Sequence, residues 1–164
     1  MPDQLPVSGV VPASEMRGEN EVETVRLRRM EEQARAFLTA FKWCGRIREF
    51  YFGDGIGGIF AIFLARIEPW GHGVDEYMWV VVGDLPPAYL VVDDCRTPKA
   101  ALRGYIGEMR KWIAVAEENG DPANVIPVNA PATPEGAKAL RSRLDSLERD
   151  IIPMWWLGEQ DHRH

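Results

Sequence analysis

Between Arg46 and Val92 four segments dense in β-branched and aromatic residues succeed one another with only a few residues between them. Parallel neighbours would need a crossover of a dozen or more residues, which these links cannot supply. The segments therefore read as an antiparallel meander. The first, RIREFYF, alternates, with Ile47, Glu49 and Tyr51 facing one way and Arg48, Phe50 and Phe52 the other. The second, IFAIFLARI, is apolar on both faces until Arg66, as a central strand covered on two sides would be. EYMWVVV supplies the third strand and YLVV a short fourth.

Helical periodicity flanks the meander. Val22, Val25, Met30, Ala34, Phe37, Leu38 and Phe41 form one apolar stripe, on a helix expected to run from Glu21 to about Cys44-Gly45. After the strands, Thr97-Pro98 and Thr133-Pro134 each place a capping hydroxyl before a proline suited to the first helical turn. The first of these helices carries Leu102, Tyr105, Met109, Trp112 and Ile113 on one face; the second carries Ala137, Leu140, Leu144, Leu147 and Ile151. The expected fold class is α+β: an N-terminal helix, a four-stranded antiparallel meander and two C-terminal helices packed on the sheet. Residues 1–20, polar and with three prolines, read as a flexible arm, residues 21–153 as a single domain and 154–164 as a tail.

Charge and composition narrow the function. The 164 residues carry a net charge of −6, which repels nucleic-acid phosphates and would steer a basic protein partner toward the surface. No apolar run approaches the roughly 20 residues needed to span a bilayer. The first residues lack a basic start and a long apolar core, and the two cysteines make no disulfide framework, so a cytoplasmic location without a membrane partner is expected.

The strongest nucleotide-like signal is Gly53-Asp54-Gly55-Ile56-Gly57-Gly58, whose Gly53, Gly55 and Gly58 have dinucleotide-loop spacing. The residues immediately after it, Ile59, Phe60, Ile62 and Phe63, favour a strand where the phosphate loop needs a helix, and no lysine of the Walker kind is present. The stretch reads as a hairpin, with Asp54-Gly55 as a type I′ turn and Gly57 and Gly58 allowing a bulge. No cofactor is expected.

Cys95, after two aspartates and just before a helix, is the candidate nucleophile; the helix would lower its pKa while Asp93 and Asp94 oppose ionisation. A plain core cysteine is the competing reading. Carboxylates at strand ends and His72, His162 and His164 are too sparse for a metal site, so none is expected. Six tryptophans are many for this length, and Trp70, Trp155 and Trp156 fall in loop or tail contexts. Trp70 together with Asp84, Pro86, Tyr89 and Asp93, along the edge of the fourth strand, is the candidate partner-binding set.

The segment from Tyr77 to Arg103, with Trp79, Gly83, Asp84, Leu85, Pro86, Tyr89, Pro98 and Ala101, resembles an uncharacterised family of small bacterial cytosolic proteins carrying a W-x-x-x-G-D-L-P segment. That family has no known activity, so the resemblance implies a bacterial cytosolic domain and transfers no catalytic residue. The order of elements also resembles the ubiquitin-conjugating layout, in which Cys95 would carry a thioester; the His-Pro-Asn segment that layout expects before the cysteine is absent. The function expected is a non-enzymatic, acidic protein-interaction domain of the bacterial immunity, antitoxin or accessory type. The alternatives are an enzyme or acyl carrier using Cys95, and a small-ligand-binding domain.

Overall fold

The structure, a computed structural model, describes residues 5–71, 73–128 and 130–153. The chain divides into two compact units, Met1–Gly107 and Glu108–His164. The first holds one five-stranded antiparallel sheet, β1 (Val11–Pro12), β2 (Arg46–Ile56), β3 (Phe60–Glu68), β4 (Tyr77–Gly83) and β5 (Ala88–Val91), ordered as they occur in the chain. The α+β class and the antiparallel meander match expectation; four strands become five. The extra strand comes from the segment expected to be an arm: Val11 pairs with Phe52 and Pro12 with Tyr51. Periodicity could not announce a strand of two residues.

Burial and one arginine fasten that segment. Ala13 and Met16 are buried in the core, and the Arg28 guanidinium donates to the carbonyls of Ala13 at 2.7 Å and Ser14 at 3.2 Å. Arg28 sits on α1 (Glu21–Thr39), which the Asn20 side chain caps by accepting from the Glu23 amide. Leu27, Met30, Ala34 and Leu38 turn inward from α1, whereas Val22 and Val25, expected on the stripe, are 62% and 51% exposed. The helix also stops earlier than the sequence suggests. Phe41 is already extended, and Lys42–Cys44 form a separate short 3₁₀ turn ended by Gly45 at φ +61°.

β3 lies at the centre of the sheet, and Phe60 through Ala65 are all buried, as its two-faced apolarity demands. On the α1 face, Phe50, Ala61, Phe63, Ala65, Ile67, Met78, Val80 and Val82 join the α1 residues in one core. The alternation read from RIREFYF does not hold throughout. A bulge between Ile47 and Glu49 shifts the register, so that Ile47 pairs with Ile67 and Phe50 with Ala65, which share a face. A second bulge, between Phe52 and Asp54, absorbs Gly53.

The other face of the sheet meets the start of α2 (Pro98–Glu117). A Cβ on Gly53 would lie 2.9 Å from Pro98 Cγ, so the bulge glycine makes room for the first turn of the helix. Trp79, fully buried, donates its indole N–H to the Cys95 carbonyl at 2.7 Å, and Tyr105 donates its hydroxyl to the Pro86 carbonyl at 2.5 Å. Two large amphipathic rings thereby tie the chain on either side of β5, and the polar atom of each finds its partner.

The second unit takes in the later turns of α2 and α3 (Pro134–Ser146), which runs on into a π-helical turn over Leu147–Ile151. Thr133 caps α3 as its sequence predicts, accepting from the Gly136 amide at 3.1 Å. Ala137, Leu140 and Leu144 are buried. Arg110 pairs with Asp145 at 2.9 Å and also with Glu148, and Arg141 pairs with Glu117. Among the described residues no helix is long and apolar enough to cross a membrane.

Candidate functional site

Antiparallel register sorts the loops of the sheet into two groups. Pairing of Ile47 with Ile67 and of Met78 with Val91 brings the turn before β2, the loop after β3 and the segment after β5 to one end. The glycine hairpin and the β4–β5 link lie at the other. The first end is aromatic and acidic.

Its aromatic centre arises because α1 stops at Thr39, so that Phe41 and Trp43 leave the helix and reach the outer strand. Phe41 stacks on Trp43 with ring centres 5.0 Å apart, and both meet Tyr89 edge-on at 5.3 and 4.9 Å. Phe37 joins from the last turn of α1, 6.4 Å from Tyr89. All four are half-buried. Trp70 extends this cluster into solvent: its backbone N–H donates to the Trp43 carbonyl at 2.9 Å, while its side chain is 76% exposed. Val91, two residues beyond Tyr89 on β5 and so on the same face, is 45% exposed. Water is in contact with a large apolar ring that nothing among the described residues covers.

Carboxylates lie at the same end of the sheet. Asp75 precedes β4, and Asp93 and Asp94 come after β5; all three are exposed and have no ion pair among the described residues. Their neighbours Glu49 and Glu76 are engaged, both by Arg66, at 2.6 and 2.5 Å. The Tyr51 hydroxyl and the Arg66 guanidinium hold the Glu49 carboxyl below its ordinary pKa. Burial, and then the bond to Glu49, push the Tyr51 phenol up to about 12.

The five residues expected to meet a partner divide between the two ends. Trp70, Tyr89 and Asp93 belong to the aromatic end, Tyr89 as a member of its cluster and not as a protruding side chain. Asp84 is exposed at the opposite end, beside the glycine hairpin, and the Pro86 carbonyl is turned inward to Tyr105. Phe41, expected only on the α1 stripe, and Trp43 and Val91 are not among the site residues that the sequence singles out. The available signal was the spacing Phe37, Phe41, Trp43, which breaks helical periodicity just before Gly45. Trp155, Trp156, His72, His162 and His164 lie outside the described residues.

Cys95 is 9% exposed, and its sulfur lies 3.1 Å from where a Cβ on Gly104 would stand. Burial, with help from the Asp94 charge, raises its pKa, which disfavours the thiolate a nucleophile needs. Cys44 is likewise buried and its pKa raised by burial. Among the described residues no three His, Cys, Asp or Glu side chains are grouped to hold a metal ion.

The glycine stretch forms a hairpin, but the turn is not at Asp54-Gly55. Those residues remain in β2, paired with Ile62 and Ala61, because Ile56 pairs with Phe60 and so takes that fully buried ring into β3. The chain reverses through Gly57 and Gly58, closed by the Ile59 N–H to the Ile56 carbonyl at 2.9 Å, with Gly58 at φ +84°. β3 begins at once, so the glycines lead into a strand and not into the helix that a phosphate loop needs. No family model, curated protein or solved structure matches this chain.

Proposed function

We propose that this chain is a non-enzymatic, acidic protein-interaction domain of the bacterial immunity, antitoxin or accessory type, which docks a basic segment of a partner protein on its aromatic end. The single observation that carries the reading is Trp70, 76% exposed at the rim of the Phe41–Trp43–Tyr89 cluster. Leaving a tryptophan in water forgoes burial energy of the order of 2–3 kcal/mol, and such rings are the usual anchors of interfaces. Asp75, Asp93 and Asp94, exposed and without an ion pair among the described residues, select the sign of the partner. A lysine or arginine side chain can lie over the Trp70 face while those carboxylates take its charge. The buried, neutral Cys95 supports this reading over a thiol enzyme or acyl carrier.

The test is capture from the native host with the purified chain as bait, then affinity measurement on the captured partner. Trp70→Ala and Asp93→Lys are expected to weaken it about tenfold or more, and Asp84→Lys, at the other end of the sheet, to leave it unchanged. A partner bound equally by the wild type and all three variants would remove the aromatic end as the docking surface.

A further inference from the structure

The opposite end of the sheet has different chemistry, and no part of the docking reading depends on it. Between α1, the hairpin turn and the β4–β5 link runs an open groove of about 320 Å³, lined by Arg26, Arg29, Met30, Gln33, Gly58, Gly83 and Asp84. That volume lies at the small end of the range for ligand sites. The groove exists because glycines keep its walls low. A Cβ on Gly57 would approach Arg26 Cβ to 2.9 Å, so only glycine lets the hairpin close against α1.

The arginines of α1 are used unequally. Arg28 and Arg35 are both paired with Glu31, and Arg35 also lies 4.5 Å above the Phe50 ring. Arg26 and Arg29, one helical turn apart, have no ion pair among the described residues, although the chain has 25 acidic residues against 19 basic ones. Asp84, in the same groove, forms none either. Arg26 and Arg29 both line one concavity, the amide of Gly58 is not used by the bond that closes its turn, and Met30 contributes an apolar wall. Guanidiniums grip oxyanions through paired N–H donors. A carboxylate beside them repels a bare anion and accepts from hydroxyl groups.

We propose that this groove binds a small polyhydroxylated organic oxyanion, with Arg26 and Arg29 on the anionic head, Asp84 and Gln33 on the hydroxyls and Met30 against the carbon chain. The head is a phosphate or a carboxylate, and two probes separate these sources. Ribose 5-phosphate and gluconate are titrated separately into the full-length ¹⁵N-labelled protein, with inorganic phosphate as the control. A saturable shift of the Gly57, Gly58, Gly83 and Asp84 amides by either probe is expected, and the tighter one identifies the head group.

The double variant R26Q/R29Q should weaken that probe by about tenfold or more, since each lost charged hydrogen bond counts for that much. Asp84→Asn should weaken the same probe while leaving inorganic phosphate unweakened, because it removes a repulsion and exchanges one of the two acceptor oxygens for an N–H donor. All three substitutions are at the surface, and unchanged amide dispersion elsewhere confirms that the variants are folded. The proposal is overturned if neither probe shifts these amides. Shifts that persist in R26Q/R29Q, or an Asp84→Asn protein that binds the probe as wild type does, overturn it equally. Inorganic phosphate binding as tightly as the probes would reduce the groove to an adventitious ion contact only.

Discussion

Gly83 and Gly58 sit at the same end of the sheet, and both have positive φ, +148° and +84°, yet they resist substitution for different reasons. A Cβ on Gly83 would lie 2.2 Å from the Ile59 carbonyl oxygen, which is backbone and cannot swing aside. Around Gly58 the nearest atom is Arg26 Cδ at 3.9 Å, so only the dihedral penalty remains. Gly83→Ala should therefore cost about 3 kcal/mol or more, and Gly58→Ala about 1 kcal/mol, in urea unfolding. Equal costs would mean that the strand approach at Gly83 is looser than described. The Glu49 carboxyl, held down by Tyr51 and Arg66, gives a pH signature. Its folded pKa is below the unfolded value of about 4.3, so its contribution is complete above that pH. It is lost as pH falls from there through the depressed folded value. Because the side chain is 40% exposed, the effect is small. Wild type should exceed Glu49→Gln in stability at pH 7, with the gap narrowing below about pH 4.3; a constant gap would refute the coupling. Cys95, with burial and Asp94 both raising its pKa, should react with a thiol reagent at neutral pH far more slowly than an unfolded control. Fast labelling of the native protein would return a thiol chemistry to consideration.

Among the elements, the one the sequence concealed is β1. Its two residues carry no alternation to detect, and their place in the fold is set by Ala13 and Met16 reaching the core and by Arg28 donating to the carbonyls of both. Met16 is 1% exposed, so Met16→Ala should destabilise the protein by about 2–4 kcal/mol. A cost below about 0.5 kcal/mol, typical of a surface position, would show the segment to be undocked. The long strands were legible for the opposite reason. Phe60 through Ala65 are buried on both faces, and burial of that kind leaves an unbroken apolar run in the sequence. Facing was less legible, because each bulge inverts the alternation beyond it, and neither Arg48 nor Gly53 marks its bulge by residue type alone. The hairpin was recognisable from its glycines, but its turn lies three residues later than Asp54-Gly55 suggests, since the pairing of Ile56 with Phe60 outweighs a local turn preference. Trp70 and Asp93 could be singled out as surface residues from their loop contexts. The Phe41–Trp43–Tyr89 cluster could not, because it joins residues far apart in sequence at a place where α1 ends early.

Over the whole molecule, charge is distributed so that the sheet ends differ. The chain is acidic overall at −6; among the described residues, Asp75, Asp93 and Asp94 at the aromatic end and two guanidiniums at the far groove have no ion pair. Net charge sets the long-range field, whereas the local groups decide where an approaching ion comes to rest. On the proposed reading, a basic partner would be attracted to the molecule in general and retained at the corner, where Trp70, 76% exposed, would supply contact that salt does not screen. The two contributions separate kinetically. Screening at physiological ionic strength acts over about 8 Å, so raising salt from about 50 to 500 mM should slow association with the captured partner by about tenfold or more while changing dissociation little. Asp93→Lys should lower the association rate and its salt dependence together, whereas Trp70→Ala should mainly speed dissociation, because the ring acts only after contact. Stopped-flow mixing with the purified partner measures both rates. If Trp70→Ala left dissociation unchanged, the exposed ring would not be an anchor; if salt left association unchanged, the acidic rim would not be selecting the partner by charge.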